Sequence, residues 1–487
     1  MKKILILILA LAMMLTVFAC AGRKDDKKPS GGESESVSGS TESDELPVID
    51  YDGRKYRISM FESQNYEFYT AEDSADTLQH ALYERNVAVE DAYDVKIKPV
   101  YSTETGKLSQ LVDDIILSID SEQNDFDVVA PVVVASGVLI TEGYLLDWGQ
   151  MKYTNLDESY WVNTINDEFT LDGHLYTAVG ATNVSSILCV YAMMYNRTMG
   201  DNDGLTAQIY DAIDNGEWTI DYFTNLISNY HKEDGGPFAI DDIYGFQAEA
   251  LTNADMWTFA FDIPMLKHDE TDTLILAFGQ GEYREKLSTA ADKILDLYWN
   301  TTGSLCHMDA GAEIRNFKEN KALFATINFK QLFNTVKDME GEYSVLPYPK
   351  FDELQENYLC SMMDNYSVMC IPYSAVATEA DADFISLITE VLNKEAETTL
   401  YPAYYTQSLQ IKYQTDENAI RMIETLMNGR RADLGVVFNS NLDYLSMLFR
   451  QTLRDKNNNL LWRLDNRVDT MLTNIQNIVT AYRNNAS

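Results

Sequence analysis

The chain has 487 residues, of which 76 are Asp or Glu and 37 are Lys or Arg, a formal net charge of −39. So acidic a surface repels nucleic acid and anionic lipid head groups, which excludes DNA, RNA and a basic membrane-binding patch as working partners and leans toward a neutral or cationic ligand. Beyond one apolar run at the start there is no long hydrophobic segment, so the remainder is expected to be a soluble chain with enough residues for two domains.

The apolar run comes first. Lys2 and Lys3 precede residues 4–18, which carry no charge, and Ala19 and Cys20 close the run. A basic start, an apolar stretch of about 15 residues and a small residue before the cut make a secretory signal. The stretch is shorter than the roughly 20 residues that span a bilayer. Val17-Phe18-Ala19-Cys20 resembles the lipobox read by lipoprotein signal peptidase, which implies loss of residues 1–19 and a lipid on Cys20. Residues 21–45 are rich in Ser, Gly, Glu, Asp and Lys and cannot bury a core, so they are expected to form a flexible tether. The expected location is the extracellular face of the cytoplasmic membrane, held there by the acyl chains on Cys20.

The folded part begins near Pro47. Residues 55–60 alternate as a strand does, and residues 77–93 place Leu78, Leu82, Val87 and Val89 at helical spacing. Residues 95–101 form a second strand candidate. Residues 108–119 form a second helix candidate through Leu111, Ile115, Ile116 and Ile119, and residues 126–131 a buried strand stopped by Pro131. The order β-α-β-α-β predicts a parallel sheet covered by helices. Ligands bind beyond the carboxyl ends of such strands, here residues 61–65 and 131–136. Asp172-Gly173 predicts a hairpin within residues 168–176. Residues 185–195 read as long, apolar and extended. Trp218-Thr219-Ile220-Asp221 opens a helix with Thr219 as N-cap. Residues 317–328 read as a short helix and then a strand over 322–327. Residues 345–349, with Pro347 and Pro349, make a stiff extended connection. From Asp381 onward the pattern is mostly helical.

Motifs that carry chemistry are scarce. There is no His-Glu-x-x-His helix and no Gly-x-Ser-x-Gly elbow, and Gly279-Gln280-Gly281 lacks the rest of a dinucleotide fingerprint. His80, His174, His231, His268 and His307 are scattered without ligand spacing, and no Cys-x-x-Cys pair exists. No enzyme, cofactor or metal is expected. Cys189, Cys306, Cys360 and Cys370 either form two disulfides, in one of three connectivities, or stay as buried thiols. The 30 Tyr and 6 Trp supply faces of the kind that stack on sugar rings.

A series of short stretches then takes on a familiar order. They are Ala81-Leu82-Tyr83-Glu84-Arg85-Asn86, Asp125-Phe126-Asp127-Val128-Val129-Ala130-Pro131, Gly143-Tyr144-Leu145-Leu146-Asp147 and Asp172-Gly173-His174-Leu175-Tyr176. Next come Asn215-Gly216-Glu217-Trp218-Thr219, Tyr244-Gly245-Phe246 and Val345-Leu346-Pro347-Tyr348-Pro349-Lys350, and finally Tyr401-Pro402-Ala403-Tyr404-Tyr405 and Arg431-Ala432-Asp433-Leu434-Gly435. In order and spacing this series resembles the extracellular solute-binding proteins of carbohydrate ABC importers, in the lipoprotein form of Gram-positive bacteria.

The resemblance implies an α/β, two-lobed periplasmic-binding-protein-like fold, each lobe a central sheet flanked by helices, with a ligand cleft between lobes that closes by hinge motion. It allots residues 46–184 plus 321–372 to the N-terminal lobe and 185–320 plus 373–487 to the C-terminal lobe. Crossings are expected near residues 185–191, 321–325 and 369–373. It implies a monomer that binds a carbohydrate and hands it to the permease subunits of an ABC transporter without chemistry. Glu62, Asn65 and Asp364 would hydrogen-bond hydroxyls; Trp257, Tyr404 and Tyr405 would stack on ring faces; Val133, Ser136 and Asn183 would complete the lining. One departure stands out. Many relatives carry a calcium-type loop before the Tyr-Gly-Phe element, but here residues 231–242 begin with His231 and put Gly235 at another ligand position. Calcium takes six to eight oxygens, so no calcium is expected there. The competing readings are a secreted glycosidase, which needs two carboxylates across the scissile bond, and a sensory or adhesive binding lipoprotein. Within transport, a peptide or a polyamine is the alternative ligand.

Overall fold

Alternation of apolar and polar side chains builds the first sheet. In β1 (Arg54–Phe61) Tyr56, Ile58 and Met60 point into the core, and in β2 (Val95–Ser102) Val95 and Ile97 do so while Lys96 and Lys98 face solvent. The computed structural model describes residues 46–103, 105–233, 242–336, 338–410 and 417–485. Cys20, the tether and most of the loop between His231 and Asp242 therefore lie outside the described residues.

Between β1 and β2 runs α1 (Thr77–Tyr93), whose N-terminal amides of Leu78 and Gln79 are capped by the Asp76 carboxylate at 3.1 and 3.0 Å. It buries Leu82, Val89 and Tyr93 against the sheet. After α2 (Gln110–Asp120), β3 (Val128–Val129) joins the far side of β1, giving the order β2-β1-β3, all parallel, with Arg54 opposite Val95 and Ile58 opposite Val128. The β-α-β-α-β reading holds. The third strand is shorter than expected, although the Asp127 and Ala130 amides still donate to the Arg57 and Ser59 carbonyls at 2.9 and 2.8 Å. α3 (Val133–Thr141) follows at the carboxyl edge.

The second sheet has the order β6-β5-β7-β4-β8, where β4 is Tyr191–Asn196, β5 Ile243–Glu249, β6 Ser304–His307, β7 Ala322–Asn328 and β8 Tyr343–Leu346. β6 and β7 run parallel to β5, and β4 is antiparallel to both β7 and β8. Helices α4 (Ile220–Ile227), α5 (Met256–Ala260), α6 (Tyr283–Trp299) and α7 (Ala312–Lys318) accompany these strands. Thr219 caps α4 as expected, its hydroxyl accepting from the Tyr222 amide at 3.2 Å.

Several expectations are corrected. Residues 322–328 and 343–346 belong to the second sheet, so residues 321–372 do not complete the first lobe as a block. Phe324 pairs with both Phe246 and Tyr195, which places residues 322–325 inside a strand of the second sheet and removes residues 321–325 as a crossing. Residues 185–195 are not one extended run, since Ser185–Leu188 is a helical turn before β4 begins. At Asp172-Gly173 the two-residue turn forms, with φ of 52° and 80°, but the residues before it are helical over Asn163–Phe169.

The C-terminal third does not stay on one lobe. α8 (Glu379–Thr398) and α9 (Leu400–Gln410) pack on α1 of the first sheet, and α10 (Glu417–Asn428) packs on β8 of the second. α11 (Leu434–Val437) returns to α3, α12 (Leu448–Asp455) lies on α6, and α13 (Val468–Asn485) comes back to α3. Assigning 373–487 to the second lobe is thereby corrected: this segment laces the two halves together.

Candidate functional site

The segments that follow β3 and β7 meet the passages between the halves. The outward passage follows Ser185–Leu188, and the return runs beside it, with Val190 bridged to Met362 and the Met363 amide donating to the Cys189 carbonyl at 2.8 Å. The end of β7 joins them, the Phe329 amide donating to the Val190 carbonyl at 3.1 Å. By the time the chain reaches Met369 it is already bonded to Ala178 of the first half, so the return passage lies over residues 361–367, upstream of the expected 369–373.

Glu67 pins these passages. It is fully buried, and its Oε2 accepts from the Ser185 amide (3.0 Å), the Ser185 hydroxyl (2.7 Å) and the Ser367 hydroxyl (2.9 Å). Burial pushes its carboxyl upward against those three donors. Asn183 adds a second tie, its amide donating to the Ser367 hydroxyl at 2.8 Å while its Oδ1 accepts from the Gly180 amide.

Beside the passages lies a cavity of about 30 Å³ lined by Tyr191, Asp255, Phe259, Met362, Asp364 and Arg450, among others. Asp255 ends the 3-10 turn Thr252–Asp255 after β5, and Arg450 comes from α12. The first half meets the return passage through backbone: the Val133 and Val134 amides at the start of α3 donate to the carbonyls of Tyr366 (2.9 Å) and Asp364 (3.3 Å). Arg450 donates through Nε to Asp255 Oδ2 at 2.6 Å and through Nη2 to the same oxygen. Asp255 Oδ1 is buried without a hydrogen-bond partner. Burial pushes the Asp255 carboxyl up to about 7; Arg450 opposes this, and Asp364 adds to it. The Asp364 carboxyl is also raised by burial, against Arg450. The Tyr191 phenol is raised by burial and by both carboxylates. The larger cavity, about 720 Å³, draws on α6 and the loop around Phe351 and Asp352 and takes no residue from the first sheet or its loops.

Of the residues singled out in the sequence, Asp364 alone lines the small cavity. Val133 meets the return passage through its backbone amide, its side chain buried. Ser136 is buried and bonded to the Val133 carbonyl at 2.8 Å. Trp257 is fully buried in an aromatic cluster with Phe246, Phe261 and Tyr348, and its Nε1 donates to the Tyr298 hydroxyl at 2.8 Å. Its ring packs in the core, away from the small cavity. Tyr404 is buried over Tyr66, its hydroxyl donating to the Tyr66 carbonyl at 3.3 Å. Tyr405 is half-buried, with Tyr401 and Arg430 among its electrostatic neighbours. Glu62 is exposed at the end of β1, and Asn65 accepts from the Tyr101 hydroxyl at 2.9 Å. Asp255, Arg450, Tyr191 and Glu67 were not anticipated, since no local spacing links them.

The four cysteines are unpaired, with Cys189, Cys360 and Cys370 buried, so the thiol alternative applies. Burial pushes Cys189, Cys306 and Cys360 up to about 12. His231 Nε2 lies 3.0 Å from Asp242 Oδ2, at the two ends of the loop discussed above.

No family model matches the chain, and no curated protein matches it in sequence. Solved structures do match in shape. UspC of M. tuberculosis superposes with a TM-score of 0.55 at 11% identity, covering 88% of this chain and 100% of that one. The galacto-N-biose/lacto-N-biose I-binding protein of the ABC transporter from Bifidobacterium longum, in complex with lacto-N-biose, gives 0.55 at 11% identity, over 90% and 98%. An ABC transporter solute-binding protein of Thermotoga lettingae bound with α-D-tagatose gives 0.50 at 12% identity, over 88% and 100%. The chain has the fold of ABC transporter solute-binding proteins. The likeness extends over nearly the whole of the described chain, and it accounts for the two α/β halves meeting at paired passages.

Proposed function

We propose that this protein is a substrate-binding lipoprotein that captures a sugar or oligosaccharide between its two halves and delivers it to the permease of an ABC importer. The observation that carries this reading is the fold match over 88–90% of the chain to proteins whose descriptions name ABC transporters and bound saccharides. The site supports it, because polar side chains from the turn after β5 (Asp255), the return passage (Asp364) and α12 (Arg450) converge at one cavity beside the passages. A cavity of about 30 Å³ has room for about two water molecules, far less than a sugar ring needs. Capture therefore requires the halves to separate, and the closed form is the one presented to the permease. The protein acts as a monomer, without catalysis, and is held at the outer face of the cytoplasmic membrane by a lipid on Cys20.

A thermal-shift screen of the purified protein against mono- and oligosaccharides, with peptides and polyamines as controls, tests the reading. A ligand that binds only the folded state raises the midpoint by mass action, by about 2.7 kcal/mol of stability at a hundred times its Kd. A shift with one sugar class is expected. Shifts with peptides alone would overturn the sugar assignment.

A further inference from the structure

The charge inventory of the small cavity is unbalanced. Of the residues lining it, Asp255, Asp364 and Arg450 are the charged ones, two carboxylates against one guanidinium. Arg450 is already committed, since its Nε and Nη2 both go to Oδ2 of Asp255. Oδ1 of Asp255 stays buried without a donor, and the side chains of Asp255 and Arg450 are only 15% and 14% exposed. A second carboxylate, Asp364, stands on the return passage and lines the same cavity. The Tyr191 hydroxyl borders the same space.

Two features then select the group that completes this site. The first is size: about 30 Å³ admits one small polar substituent and no ring. The second is donor count. A hydroxyl brings one hydrogen and no charge, so a single hydroxyl leaves one carboxylate unanswered. An ammonium brings three N–H donors and a positive charge, so one group supplies donors for Asp255 Oδ1 and for the Asp364 carboxylate, both on residues that line this cavity. Its positive charge also favours the ionised form of two carboxyls that burial otherwise raises.

We infer that the ligand carries a free ammonium group, seated between Asp255 and Asp364; on the carbohydrate reading above, on which this rests, the substrate class is an amino sugar or an oligosaccharide containing one. The net charge of −39 draws a cation to the protein over distance and repels uronic or phosphorylated sugars.

The test is a thermal-shift and calorimetric panel built in triplets that differ only at carbon 2 of each ring: glucose, glucosamine and N-acetylglucosamine; galactose, galactosamine and N-acetylgalactosamine; cellobiose, its diamino and its di-N-acetyl counterparts. Putrescine and spermidine are added. The expected result is a shift with ammonium members that exceeds that of their hydroxyl and acetamide partners. The variant Asp364→Asn, which keeps the shape of a half-buried side chain, should weaken the ammonium ligand about tenfold or more and leave its unliganded midpoint within a degree or so of the parent. Shifts confined to hydroxyl or acetamide members overturn the inference and leave the carbohydrate reading standing. Shifts with putrescine or spermidine and no sugar keep the ammonium seat and overturn the carbohydrate reading. Silence across the whole panel overturns both.

Discussion

Replacing Glu313 by Gln should stabilise the protein, and increasingly so as the pH rises. Glu313 opens α7 just past the end of β6, fully buried, with neither carboxylate oxygen bonded. Burial pushes its carboxyl from 4.5 up to about 8, with the neighbouring Glu249 adding to the rise, Arg315 opposing and Asp309 contributing. In the unfolded chain the group loses its proton near 4.5, whereas in the folded chain it keeps it until about 8. The native state therefore binds more protons across that window, and stability falls as the pH climbs through it. At 1.36 kcal/mol per unit, the loss is about 3 kcal/mol by pH 7 and approaches about 5 kcal/mol above pH 8. Glutamine has no proton to lose, so Glu313→Gln escapes this penalty. Urea unfolding of parent and variant at pH 5 and pH 8.5 measures it directly. The two proteins should differ by less than about 1 kcal/mol at pH 5, and the variant should lead by several kcal/mol at pH 8.5. Other raised carboxyls, such as Asp433 and Glu390 at about 7, titrate in both proteins and cancel in the difference. A gap between the two proteins that stays constant over this range would refute the reasoning, because it would mean Glu313 ionises in the fold as it does in water.

Other perturbations probe the packing and the passages. Trp257→Phe strips the donor from the buried Tyr298 hydroxyl and should cost about 2 kcal/mol in urea unfolding, with the affinity of any sugar identified unchanged; loss of affinity at full stability would return Trp257 to the ligand. Gly303→Ala places a methyl 1.7 Å from the Ile227 carbonyl oxygen, a backbone atom at the end of α4, and should cost about 3 kcal/mol or prevent accumulation; wild-type stability would mean β6 starts elsewhere. Glu67→Ala leaves three donors on Ser185 and Ser367 unanswered, which should cost about 3 kcal/mol and speed amide exchange at residues 185–191 and 361–367 ahead of the rest of the chain. Cys189, Cys306 and Cys360, raised to about 12 by burial, should resist Ellman's reagent at pH 8 in the native protein, and all four core thiols should react in urea without reductant; no thiol released in urea would mean they are joined.

The parts of the fold that were legible are those set by near neighbours in the chain. Tyr56, Ile58 and Met60 alternate inward in β1, Leu82 and Val89 recur along α1, Thr219 caps α4, and Asp172-Gly173 takes the positive φ angles of a tight turn. Each follows from a period or a backbone preference acting over a few residues. Strand order in the second sheet does not. Every residue of β7 is buried, so its side chains say that it is interior and nothing about which strands flank it. Its place between β5 and β4 is fixed by pairing with segments far back in the chain, and for that reason residues 321–325 read as a passage when residues 322–325 lie in the middle of a sheet. The alternating attachment of α8 to α13 is hidden in the same way, because an amphipathic stripe states that a helix has a buried face without naming what covers it. The site suffers most from this. Trp257 and Tyr404 have the composition of a sugar platform and the surroundings of a core, and an aromatic ring is equally at home in either. Asp255, Asp364 and Arg450 come from a turn, a passage and a late helix, and only their meeting leaves one guanidinium facing two carboxylates. The uneven charge around this cavity is thus created by the fold, a property that none of the three residues carries in its own stretch of sequence.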